Sequence, residues 1–81
     1  MSTIEPGAFG ARLKQARTEA RLTQAELAAM AQMPPSTIGS LEHASHTPRG
    51  DHLLRLALAC GVSPWWLMFG TGPKGARDNK M

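Results

Sequence analysis

Residues 22–42, LTQAELAAMAQMPPSTIGSLE, decide the fold of this chain. Apolar side chains recur at Leu22, Leu27, Met30 or Ala31, Met33, Ile38 and Leu41, which leaves one inward stripe on each of two short helices. Thr23 is followed three residues later by Glu26, the spacing of a capping box, so the first of these helices begins at Thr23 or Gln24 and runs to about Ala31. Gln32, Met33, Pro34 and Pro35 form the turn. A residue before proline is pushed out of the α region, which removes Met33 and Pro34 from any helix interior. Pro35 can then open the second helix, over about 35–42. Left outside are Gln24, Ser36, Thr37, Ser40 and His43, with hydroxyls and an amide at helix starts. Groups of that kind meet phosphates and base edges, so the stretch points to nucleic acid as a partner.

Outward from this pair the pattern stays helical. Pro6 suits a first turn, and Phe9, Leu13, Ala16 and Ala20 repeat at helical spacing, giving a helix over 6–20. Residues 43–50, HASHTPRG, read as a polar loop. A helix over 51–60 turns Leu53, Leu54, Leu56, Ala57 and Cys60 inward and ends at Gly61. Ser63 and Pro64 are an N-cap and a first-turn proline, so a last helix covers 64–69 and stops at Gly70. Residues 1–5 read as a lead-in. Residues 71–81, rich in Gly, Lys and Asn with little to bury, are expected to be disordered. The expected architecture is all-α, a compact bundle of five short helices in one domain over 6–70.

Composition excludes several classes of function. No apolar run approaches the ~20 residues of a membrane span, and no charged-then-apolar leader is visible. One cysteine cannot form an internal disulfide, which suits a reducing, cytoplasmic setting, and Cys60 falls among apolar neighbours as a small core residue. The formal net charge is +3, but Lys74, Arg77 and Lys80 against Asp78 supply +2 of it. Bulk electrostatics therefore barely favours a polyanion for residues 1–70, and the basic tail adds non-specific attraction. His43, His46, His52 and Cys60 fit no zinc spacing. There is no paired-carboxylate cleft and no nucleophile with a positioned base, and the glycines of GTGPKG follow the last helix rather than opening one. The chain is read as neither an enzyme nor a cofactor or metal protein.

These residues resemble the phage-repressor and Cro type of helix-turn-helix domain, the XRE family. The resemblance runs over about 8–70: Phe9-Gly10, Leu13 and Arg17; Leu22-Thr23-Gln24-Ala25-Glu26-Leu27-Ala28; Ser36-Thr37, Ile38 and Leu41-Glu42; Pro48, Leu53-Leu54 and Ala57; Gly61-Val62-Ser63 and Trp66-Leu67 to Gly70. It implies a small homodimeric transcriptional regulator, a repressor, on a roughly palindromic double-stranded operator, with the helix over 35–42 in the major groove. Carried over by position, Thr23 and Gln24 face a phosphate. Pro35, Ser36 and Ser40 face bases, and Thr37, Gly39 and His43 flank them. Arg17 and Glu42 form an ion pair. The chain departs from the family at Gln32, where Gly is common in the turn, and at Pro34, the usual Ser or Thr cap. It departs again at Ala44 with Ser45-His46-Thr47, and at Gly50.

Arg, Asn and Gln, the strong direct readers of guanine and adenine, are missing from 35–42. Hydroxyls discriminate weakly, so water bridges, thymine-methyl contacts or DNA shape are expected to carry part of the selection, with Arg49 the best remaining cation for the backbone or minor groove. In Trp65-Trp66-Leu67-Met68-Phe69 the family pattern sends Trp66 and Leu67 to the core. Trp65, Met68 and Phe69 are left as an exposed dimer interface. No sensor domain fits in this length, so a signal is expected to act through concentration, a partner or proteolysis. Two other functions stay open. One is an antitoxin bound to a toxin partner as well as DNA; the other is a helix-turn-helix fold used for protein interaction alone.

Overall fold

The computed structural model describes residues 6–43, 48–72 and 74. The chain folds as α1 (Pro6–Glu19), α2 (Gln24–Ala31), α3 (Pro35–His43), α4 (Gly50–Cys60) and α5 (Pro64–Phe69). The lead-in 1–5, the loop departures at 44–47 and the tail from 75 onward lie outside the described residues.

Local chemistry sets the boundaries. The capping box at the start of α2 is complete: Glu26 N–H donates to Thr23 Oγ1 at 3.0 Å and Thr23 N–H to Glu26 Oε1 at 2.9 Å. The turn after α2 passes through Gln32 at φ 59°, and Met33 N–H reaches back to the Ala28 carbonyl at 2.9 Å. That is a Schellman closure made without glycine, at a cost of about 1 kcal/mol. Arg21 closes α1 the same way, at φ 63°. α4 begins one residue earlier than the sequence pattern predicts, with Arg49 as an N-cap that makes no side-chain cap bond. Ser63 Oγ accepts from Trp65 and Trp66 N–H to start α5, and Gly70 ends it at φ 77°.

Every helix contributes to one core. Phe9, Leu13 and Ala16 of α1 meet Leu27, Ala28 and Ala31 of α2, Ile38 and Leu41 of α3, Leu56 and Ala57 of α4, and Leu67 of α5. Ala31 rather than Met30 is the buried choice in α2. Leu54 corrects the expected inward face of α4: it is 54% exposed. At 100° per residue Leu53, Leu56, Ala57 and Cys60 share a side, and Leu54 swings to the outer flank with the exposed Leu58. Cys60 is half-buried, and burial pushes its thiol up to about 11, so it stays a neutral apolar group.

Of the segment from residue 71 onward, expected to be disordered, Thr71, Gly72 and Lys74 are among the described residues, and Lys74 makes defined contacts. The Lys74 carbonyl accepts from Ser63 N–H at 2.7 Å, its ammonium lies 5.0 Å from the Trp66 ring centre, and it pairs with Glu19. The Lys74 hydrogen bond holds the Glu19 carboxyl below its ordinary range. The long Lys74 side chain thus has both a cation–π partner and an ion-pair partner.

Gly10 fixes how closely α1 approaches α3. A Cβ there would lie 2.6 Å from the Glu42 carbonyl oxygen and 2.7 Å from that of Leu41, backbone atoms that cannot swing aside. Gly10→Ala is therefore expected to destabilise the fold by about 2–3 kcal/mol, lowering the thermal midpoint by on the order of 10 °C. A thermal melt within ~2 °C of the wild type would show that the two helices can separate without loss.

Candidate nucleic-acid interface

α3 carries Ile38 and Leu41 into the core, and this orients the rest of the helix. Ser36, Ser40 and His43, spaced four and three apart, stand exposed on the opposite face, with Pro35 beside them. Thr37 and Gly39 are half-buried at the flanks. The sequence-derived set on α3 thus resolves into one row of three polar residues with smaller groups at its edges.

Two elements, α1 and α2, converge on Glu42 near the end of α3. Arg17 of α1 donates to it twice, Nε to Oε2 at 2.6 Å and Nη2 to Oε1 at 3.2 Å. Arg17 Nη1 also donates to the Leu22 carbonyl at 2.9 Å. The side chains are 12% and 2% exposed. The hydrogen bond from Arg17 to Glu42 raises the arginine above its ordinary pKa, so the guanidinium is more firmly charged than in water. The ion pair expected from the family resemblance is present as a forked, nearly dry contact. Gln24 joins it, with Nε2 donating to Glu42 Oε1 at 3.1 Å. The sequence pattern does not reveal this bond. It fixes the half-buried Gln24 at the start of α2 while leaving one amide proton for an outside acceptor. Gly39 leaves room beside it, since a Cβ there would sit 3.8 Å from Gln24 Oε1.

Arg49 projects into solvent, 77% exposed, with Nε 3.5 Å from Asp51 Oδ1. This is a loose contact worth little in water, so the cation remains available. Trp65 and Phe69 are 60% and 42% exposed, with ring centres 4.6 Å apart, and Met68 beside them is half-buried. Trp66 is half-buried against the core rather than fully inside it, and Leu67 is completely buried. A recess of about 390 Å³ between the end of α1 and the α4–α5 turn contains Glu19, Cys60 and Lys74. Its carboxylate is taken up by the lysine and its thiol is neutral, so it offers no matched acid and base. Among the described residues no helix is long and apolar enough to cross a membrane.

A capped helix, a tight turn and a second helix with an exposed polar row, packed on α1 and α4, define a helix-turn-helix domain of the phage-repressor kind. The chain belongs to the helix-turn-helix family, whose profile matches residues 13–67. It is 40% identical over 75 residues to the HTH-type transcriptional regulator PrtR of Pseudomonas aeruginosa, covering 93% of this chain and 29% of that protein. The P22 c2 repressor, in a crystal structure with a synthetic operator, superposes with a TM-score of 0.73 at 30% identity, over 78% of this chain and 96% of the repressor chain. The restriction-modification controller protein C.AhdI of Aeromonas hydrophila superposes with a TM-score of 0.69 at 32% identity, over 73% of this chain and 89% of that one.

Proposed function

We propose that this chain binds double-stranded DNA sequence-specifically as a homodimer and regulates transcription from the cytoplasm, acting as a repressor on a roughly palindromic operator. The observation that carries the reading is the row Ser36, Ser40 and His43 on the outer face of α3, beside a Gln24 pinned by Glu42. In this arrangement α3 is the recognition helix. Thr23 and Gln24 hold a phosphate with the free N–H groups of the start of α2. Pro35, Ser36 and Ser40 meet base edges, Thr37 and His43 flank them, and Arg49 meets the backbone. Trp65, Met68 and Phe69 join the two copies. The relatives support it: one is a transcriptional regulator by name and another is a repressor crystallised with a synthetic operator.

Gln24→Ala is expected to weaken binding to all duplexes by a similar factor, because a phosphate contact positions without reading sequence. Ser36→Ala and Ser40→Ala are expected to re-rank operator variants, by roughly 1 kcal/mol for each hydrogen bond to a base edge that is removed. The comparison uses a duplex selected from a random pool and titrated against its single-base variants. Unchanged affinity and ranking in both serine variants would rule out α3 as the reading element. One observation favours a protein-interaction role instead, the near balance of charge over residues 1–70. That reading requires the chain to show no duplex affinity.

A further inference from the structure

α5 is six residues long and ends at Gly70, whose N–H returns to the Trp66 carbonyl. The next carbonyls of a last helical turn have no partner within the helix. Arg12 of α1 supplies partners for two of them: its Nε donates to the Leu67 carbonyl at 2.8 Å and its Nη2 donates to the Met68 carbonyl. The approach is close enough that a Cβ on Gly70 would lie 3.1 Å from Arg12 Nη1. A cation at this end also complements the helix dipole. Leu67 is the one residue of α5 that is fully buried, and so short a helix holds its own geometry poorly. The forked arginine thus ties the end of α5 to α1, alongside the burial of Leu67 in the shared core. Five residues along the same helix, Arg17 holds Glu42 of α3. α1 therefore grips the aromatic helix with one arginine and the polar-row helix with another.

We infer that Arg12 is a positioning residue for DNA recognition: by fixing α5 on α1, it sets the distance and angle between the two recognition helices of the dimer. The inference rests on the dimer contact proposed above for Trp65, Met68 and Phe69. The path is continuous, from α3 through Glu42 and Arg17 to α1, and from α1 through Arg12 to the aromatic patch. Two recognition helices must fall about one DNA turn apart, roughly 34 Å, so a swing of α5 translates directly into half-site mismatch. Lysine cannot replace the fork, because a compact ammonium does not present two parallel donors to adjacent carbonyls.

The test compares the full chain with Arg12→Gln and Arg12→Lys on three duplexes: one half-site, the selected palindrome, and palindromes whose half-sites are moved one or two base pairs closer or farther. Circular dichroism first establishes that each variant is folded. Half-site binding is expected to stay within about twofold. Affinity for the palindrome should fall about tenfold in Arg12→Gln and less in Arg12→Lys, and the preference for one spacing should flatten. A merely structural role would lower half-site and palindrome binding together and keep the spacing preference. That result, or palindrome affinity equal to wild type, overturns the inference. If Arg12→Gln does not fold, the lysine variant carries the same comparison. A wild type that binds the palindrome as a monomer would instead overturn the dimer reading beneath it.

Discussion

Replacing Glu42 by alanine is expected to destabilise the domain by about 3–5 kcal/mol, the range for removing one partner of a buried ion pair. The loss comes less from the vanished attraction than from what stays behind. Arg17, 12% exposed, keeps its charge with a single carbonyl partner, and Gln24 Nε2 is left without its acceptor. A domain of this size has a total stability in the lower part of ~5–15 kcal/mol, so the variant should sit near its unfolding threshold. The double change Arg17→Met with Glu42→Leu removes both charges and fills the space, and should recover much of the loss. Urea titration with a shared slope decides between the possibilities. A Glu42→Ala midpoint equal to wild type would mean that the pair is open to water.

The second large effect concerns association. Trp65→Glu is expected to lower affinity for a palindromic duplex by about 100-fold or more while leaving half-site binding nearly unchanged and the monomer folded. Trp65 is 60% exposed and its ring meets Phe69 at 4.6 Å, with its Nε1 donating to Thr71 Oγ1 at 3.2 Å. A glutamate there places like charges across a two-fold axis, where each copy meets the same patch on the other. The monomer core does not involve this side chain. Sedimentation should show the wild type dimerising and the variant monomeric. If the variant dimerises as well as wild type, the joining surface lies elsewhere, and the exposed Leu54 and Leu58 flank of α4 would be the next face to substitute.

The limits of α2 and α5 are legible in the sequence because local chemistry fixes them. Thr23 with Glu26, the Pro34-Pro35 pair, Ser63-Pro64 and Gly70 each permit one backbone course. The polar row on α3 is legible for a related reason: Ile38 and Leu41 must go inward, which leaves Ser36, Ser40 and His43 outside. The Arg17–Glu42 pair is accessible through the family resemblance alone, since nothing local links residues 25 positions apart. Polar side chains that bond a distant element leave no pattern at all. Arg12 on the α5 carbonyls, Gln24 on Glu42 and Lys74 on Glu19 are each invisible for that reason. Leu54 is misplaced for a different cause: four leucines in α4 exceed what one inward stripe can take, and hydrophobicity alone does not say which are left out.

Specific duplex binding by two copies of this chain can be measured by titrating wild-type protein into a labelled duplex, selected from a random pool, at several salt concentrations with stoichiometry followed in parallel. Saturation is expected at two chains per palindrome. Affinity should fall as salt rises, because cations such as Arg49 displace counterions from phosphates, and the selected duplex should hold a clear advantage over a scrambled one. No enrichment of any sequence from the pool, together with no salt-dependent duplex affinity, would contradict it.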